Sequence, residues 1–207
     1  QLENSANVKQ TRKKLASVTK GNNMNINRMV KTTSMAAIFT VSAAVGMADT
    51  LRWASKTDPD TMDPHAGSSA PVLSFLNNVY EGLVRRGRDM SIEPSLATSW
   101  EPLVGENGWR FTLRKGVVYH DGAKFDAKDV LFSYNRASVE VSDVRSWFAP
   151  VKEVRVVDEY TIDFVTKVPN PLFPDSIANF MILDKGWAEA NGAELPARDA
   201  ENFATKN

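Results

Sequence analysis

Trp109-Arg110-Phe111-Thr112-Leu113-Arg114 alternates apolar and polar side chains without a break. Successive side chains of a strand point to opposite faces, so Trp109, Phe111 and Leu113 belong on one face and Arg110, Thr112 and Arg114 on the other. The segment reads as a strand with one side in a core and one in water. Lys115-Gly116 turns the chain, and Val117 to His120 reads as a second strand, stopped by the Asp121-Gly122 turn signal.

The same logic extends outward. Asp126-Ala127-Lys128-Asp129 resembles a helix capping box with Asp in both partner positions. Ala127, Val130, Leu131 and Tyr134 then fall on one helix face. Val154 and Val156, and then Tyr160, Ile162 and Phe164, alternate on either side of Asp158-Glu159, the pattern of a hairpin. Pro169, Asn170, Pro171 and Pro174 mark a boundary, and Ile177 to Gly192 is expected to be helical with a turn. Upstream, the Asp58-Pro59 and Asp63-Pro64 pairs favour turns, because Pro pushes the preceding residue out of the helical region. Ser68 and Ser69 offer a helix cap with Pro71 in the first turn. Val72, Leu76, Val79, Tyr80 and Leu83 recur at helical spacing, predicting one apolar face on a helix that ends between Gly82 and Gly87. Leu51 to Ala54 reads as a short strand, and Ile92 to Trp100 as a short apolar segment around a Pro. The mixture, with no regular strand–helix–strand repeat, predicts a globular α/β fold.

The 207 residues carry 25 basic and 25 acidic side chains and no Cys. Residues 1–48 hold seven of the basic residues and one acid, Glu3, which leaves 18 basic against 24 acidic residues in 49–207. An acidic body does not suit a nucleic-acid binder, which needs a basic face. Within the basic stretch, Met24 or Met29 can serve as a start, Arg28 and Lys31 form a short positive region, and Ser34 to Val45 is an uncharged, mostly apolar run. Gly46-Met47-Ala48 places small residues three before and one before a cut after Ala48, the layout of a secretory signal peptide over 24–48. The run is shorter than the twenty or so residues of a membrane span. Residues 1–23 read as a non-native upstream segment, and both ends of the chain as arbitrary.

Chemistry-bearing motifs are sparse. There is no phosphate-binding glycine loop, no HExxH and no G-x-S-x-G elbow. The two His, His65 and His120, each lie beside an Asp or Pro in a predicted turn, where the spacing suits hydrogen-bonded turn or surface residues better than a metal site. A calcium loop over Asp58–Ser69 fails for want of Gly at its sixth position and Glu at its twelfth. Asp58-Asp60 and Asp158-Glu159 read as solvated turn acids rather than a catalytic pair. Trp147 and Phe148 stand in an apparent loop, where they are a pocket wall or local packing. No cofactor and no metal is expected, and a binding role is favoured by elimination.

Thr57-Asp58-Pro59-Asp60-Thr61-Met62-Asp63-Pro64 resembles the opening motif of the family 5 extracellular solute-binding proteins, the dipeptide, oligopeptide and nickel class of ABC importers. The resemblance continues through Val79–Val84, Glu93–Trp100, Trp109–Val117 with His120-Asp121-Gly122, Phe125–Arg136 and Val157–Thr161. The order of these segments makes the resemblance specific, where any one alone is weak.

It implies a type II periplasmic-binding-protein fold with an extra small α+β lobe. Residues 49–78 and 168–207 would be parts of the first main lobe and 79–167 the extra lobe, with the second main lobe missing. It implies no enzymatic activity, but a monomer that captures short peptides in the periplasm and passes them to permease subunits. Another solute (nickel complex, opine, betaine, oligosaccharide) and a chemoreceptor-docking sensor are the alternatives. It also implies that Ser68, Ser69 and Ala70 present backbone groups to an extended ligand and that Trp147 or Phe148 lines the pocket.

Overall fold

A computed structural model describes residues 56–198. The signal peptide over 24–48, the cut after Ala48 and the strand Leu51–Ala54 lie outside the described residues.

The alternating segment forms β4 (Gly108–Leu113), an inner strand of a four-stranded antiparallel sheet ordered β3-β4-β6-β5, with β3 at Ala97–Pro102, β5 at Val151–Asp158 and β6 at Thr161–Thr166. Phe111 sits opposite Trp100 on β3 and Ile162 on β6, and Trp109 opposite Phe164, so one face of the sheet is aromatic and aliphatic. The other face carries a row of alternating charge across the four strands, Glu101, Arg110, Asp163 and Arg155, each paired in register with the next. Opposite-charge cross-strand neighbours contribute a few tenths to about 1 kcal/mol each. Gly108 is required by close approach: a Cβ there would meet the Phe164 carbonyl oxygen at 2.3 Å. The expected hairpin is β5–β6, closed by Asp158, whose Oδ1 accepts from the Tyr160 amide at 2.8 Å.

Helix α2 (Ala127–Ala137) covers the apolar face. Its capping box is complete: Asp126 Oδ1 accepts from the Lys128 amide at 2.6 Å, and Asp129 Oδ2 accepts from the Asp126 amide at 2.9 Å. Ala127 and Val130 are buried, and Leu131 and Tyr134 pack against the same core. Phe111, Phe164 and Phe173 meet at centroid distances of 5.4–5.6 Å beneath the helix.

Four expectations change. Helix α1 (Ala70–Leu76) stops about two to three turns early, because the Asn77 and Asn78 side chains donate to the Leu73 and Ser74 carbonyls at its end. Its supposed single apolar face is divided: Val72 and Leu76 pack with Met181 in a small core, Leu83 belongs to the sheet core, and Val79 is exposed. Val117–His120 is a tight loop with one bridge, Val118 to Lys124, because the Asp121 carboxylate holds the Ala123 amide and closes the turn at once. Ile177–Asn179 is a turn and Phe180–Asp184 is not helical, with Met181 bridging Gly82. Phe180 to Leu183 are all buried, a continuous apolar run whose period cannot distinguish strand from helix; the helix begins only at α4 (Lys185–Ala190), capped by Asp184. Between α1 and β3 lies a hairpin of β1 (Val84–Arg86) and β2 (Ile92–Pro94) that the sequence reading passed over, as it did β3. A single turn, α3 (Phe173–Ser176), follows β6.

Candidate functional site

The Asp-Pro run is an ordered turn. Thr61 Oγ1 accepts from the Asp63 amide and Asp63 Oδ1 accepts from the His65 amide, both at 3.0 Å. Into this turn α2 delivers Arg136. Its five N–H donors are all used: Nη1 donates to Asp63 Oδ1 at 2.7 Å and His65 Nδ1 at 3.1 Å, Nη2 to Asp63 Oδ2 at 2.6 Å and the Leu195 carbonyl at 3.0 Å, and Nε to the Ala193 carbonyl at 2.9 Å. The carboxylate and guanidinium are both fully buried. The Ala197 amide donates to Asp63 Oδ2 at 3.0 Å. Three separated stretches, 61–66, α2 and 193–197, are thereby fixed at one point.

Arg136 can only donate, so His65 Nδ1 must be the bare nitrogen and Nε2 carries the proton, which it donates to the Met181 carbonyl at 3.0 Å. Burial first, and then the Arg136 charge, push the imidazole down to about 4. Burial by itself would raise Asp63, but the Arg136 hydrogen bond and charge, with the His65 and Ala197 amides, outweigh it and hold the carboxyl below its ordinary value.

The sign for stability follows from linkage. The unfolded chain binds a proton at His65 below about pH 6.5, while the folded chain resists it down to about 4. The contribution is therefore fully present above pH 6.5 and is lost as the pH falls through 4. In urea melts at pH 7 and pH 4.5, the native chain is expected to lose about 2 kcal/mol more than His65→Gln; equal losses would remove His65 as the titrating group.

Two of the expected ligand segments lie on either side of this turn. Ser68, Ser69 and Ala70 follow it directly and are exposed. Ser69 occupies the cap position of α1, but its side chain makes no capping hydrogen bond. On the other side, the His65 carbonyl accepts from the Asp143 amide at 3.0 Å and from Ser142 Oγ at 3.2 Å. That tie leads into a 3₁₀ turn, Arg145–Phe148. Trp147 is half-buried and keeps exposed surface. Phe148 is 4% exposed, wedged edge-on between Tyr134 at 5.3 Å and Phe180 at 4.8 Å. Phe148 is thus packed on both sides, while Trp147 keeps part of its surface exposed.

A separate cavity of about 380 Å³ is lined by Val79, Tyr80, Leu96, Val117, Ile182 and Trp187 among others. None of the five expected ligand residues lines it. Exposed His120 stands at its rim, far in chemistry from buried His65. Among the described residues, no group of three or more His, Cys, Asp or Glu could hold a metal ion. Also among them, no helix is long and apolar enough to cross a membrane.

The fold is that of the type II periplasmic binding proteins. The sequence profile of the bacterial extracellular solute-binding proteins, family 5, matches residues 91–203, more than half of the chain, and the chain belongs to that family. It is 31% identical over 176 residues to the dipeptide-binding protein of Escherichia coli strain K12, covering 73% of this chain and 32% of that one. DppA of Helicobacter pylori, solved with the peptide STSA, superposes with a TM-score of 0.54 at 28% identity, over 66% of this chain and 32% of that one. NikZ of Campylobacter jejuni, solved with Ni(L-His), does so with a TM-score of 0.59 at 26% identity, over 68% and 28%. The chain thus spans about a third of the length of these relatives.

Proposed function

We propose that the whole protein is the substrate-binding component of an ABC importer, which captures short peptides in the periplasm and hands them to membrane permease subunits. The observation that carries this is the exposed Ser68-Ser69-Ala70 stretch issuing from a turn pinned by buried hydrogen bonds, in a chain 31% identical to a dipeptide-binding protein. Backbone groups held in place can pair with an extended peptide whatever its side chains, which gives affinity with broad selectivity. Trp147, on the segment tied to the same turn through the His65 carbonyl, supplies an apolar surface. Residues 49–78 and 168–207 belong to one main lobe in this reading and 79–167 to an extra lobe. The family is a transport class, and the role calls for ligand capture without turnover.

The exported form, with Asp49 as its expected first residue, is the material for the test. In a thermal-shift screen of the whole protein against dipeptides and tripeptides, a ligand present at a hundred times its dissociation constant is expected to add about 2.7 kcal/mol of stability. Shifts with many peptides of one length support the proposal. No shift with any peptide overturns the peptide assignment and favours the second reading, a different solute, for which the relative solved with Ni(L-His) is the precedent.

A further inference from the structure

Asp63, His65 and Arg136 do more than hold the chain together. Resting on the peptide-binding reading above, we propose that Arg136 is a positioning residue for solute capture: through Asp63 and His65 it sets the Ser68–Ala70 stretch and the Trp147 turn in one fixed geometry. The connection is short on both sides. The Arg136 fork grips the Asp63 carboxylate, which caps the His65 amide, and two residues beyond His65 and Ala66 the chain reaches Ser68. The His65 carbonyl, held by the same turn, anchors the Asp143 amide and the Ser142 hydroxyl, and Ser142 Oγ accepts in turn from the Val144 amide at 3.3 Å. Trp147 is tied to that step by its own amide, which donates to the Val144 carbonyl at 3.0 Å. The ring of His65 adds a second route, stacking on Phe180 at 5.9 Å, with Phe180 holding Phe148 beside Trp147.

A single planar fork therefore ties two segments, one exposed and one half-buried, to the same turn without touching either. Lysine cannot do this. It keeps the charge but offers a point donor in place of a fork, so it can reach Asp63 while leaving His65 Nδ1 and the Ala193 and Leu195 carbonyls without their partner.

The test uses the whole protein and compares Arg136→Lys with Leu113→Ala, a core truncation in β4, where the backbone pairs with Ala97 and Tyr160 rather than with the hub. Amide hydrogen exchange and affinity for the tightest peptide of the screen are read at matched stability, with urea used to equalise the two variants. Arg136→Lys is expected to speed exchange at the hydrogen-bonded amides of residues 63–66, which lead into Ser68, and of 143–147 together, and to weaken the peptide roughly tenfold, while Leu113→Ala does neither. Should Arg136→Lys fail to fold, Ser142→Ala, which removes the hydroxyl's bond to the His65 carbonyl and the acceptor of the Val144 amide while leaving the Asp143 tie, is expected to loosen 143–147 and weaken the peptide. Unchanged exchange at both segments, or affinity lost equally in Leu113→Ala, overturns the positioning role. If the native protein binds no peptide at all, the peptide reading falls and the exchange arm alone decides the positioning role.

Discussion

Replacing Arg136 by methionine is expected to destabilise the chain by about 3–5 kcal/mol, the cost of stranding one partner of a buried ion pair. Methionine has nearly the length of arginine, so packing changes little. What changes is that the Asp63 carboxylate, fully buried, faces no cation. The Ala193 and Leu195 carbonyls also lose their donor. A small domain is stable by only about 5–15 kcal/mol, so the loss is a large share of the total. Arg86→Met is the comparison that isolates burial. Arg86 grips Asp175 with the same two-pronged geometry, both contacts at 3.0 Å, but the two side chains are 36% and 45% exposed. Exposed pairs are worth about 0–1 kcal/mol, and Arg86→Met is expected to fall near that range. Adding Asp63→Leu to Arg136→Met should recover part of the loss, because the stranded charge disappears, but not all of it, because Asp63 also accepts from the His65 and Ala197 amides. Urea melts followed by circular dichroism give all three losses. A loss below about 1 kcal/mol for Arg136→Met would mean that water reaches the pair.

That pair also shows where the sequence stops being legible. The Trp109–Leu113 strand, the Asp126–Asp129 box and the Asp158 hairpin are written in residues no more than a few positions apart, where side-chain period and capping chemistry act directly. Arg136 meets Asp63 across 73 residues and the Ala193 carbonyl across 57. Nothing local distinguishes it from a solvated arginine at the end of a helix. The Asp63–His65 turn was legible as a turn, and the hydrogen-bonded His65 expected there is what is seen. That the turn is buried was not legible, because acids and prolines signal turns and turns are usually wet. The end of α1 and the non-helical 177–184 stretch were missed for a related reason. Helical spacing from Val72 to Leu83 and the apolar run from Phe180 to Leu183 each satisfy more than one structure, and packing against two different cores decides between them. Of the candidate ligand residues, exposed Ser68–Ala70 at the start of α1 and buried Phe148 in a 3₁₀ turn could not be told apart by sequence, since neither segment carries a periodic pattern long enough to mark a buried face.

Phe164→Ala is expected to cost about 3–5 kcal/mol, the range for deleting a buried aromatic ring. Phe164 is fully buried in β6. Its ring meets Phe111 of β4 at 5.6 Å, Tyr134 of α2 at 6.0 Å and Phe173 of α3 at 5.4 Å, so one side chain joins the sheet to both covering elements. Relaxation cannot close the hole cheaply. β6 is held on both sides, by β4 and β5, and sliding the strand would break a ladder to save a void. Edge-to-face pairs add about 0.5–1.5 kcal/mol each beyond the area they bury, which favours the upper part of the range. Val157, 49% exposed on β5, is the control, and Val157→Ala should stay within about 0.5 kcal/mol. The same ring begins a chain of contacts that ends at the hub: Phe164 to Tyr134, Tyr134 to Phe148 at 5.3 Å, Phe148 to Phe180 at 4.8 Å, and Phe180 to His65 at 5.9 Å. Tyr134 also lies two residues before Arg136 on α2. If that chain is mechanically continuous, Phe164→Ala and Arg136→Met should not be additive, and their combined loss should differ from the sum by more than about 0.5 kcal/mol. Simple additivity would show instead that the sheet core and the hub are independent, with α2 acting as a rigid beam between them.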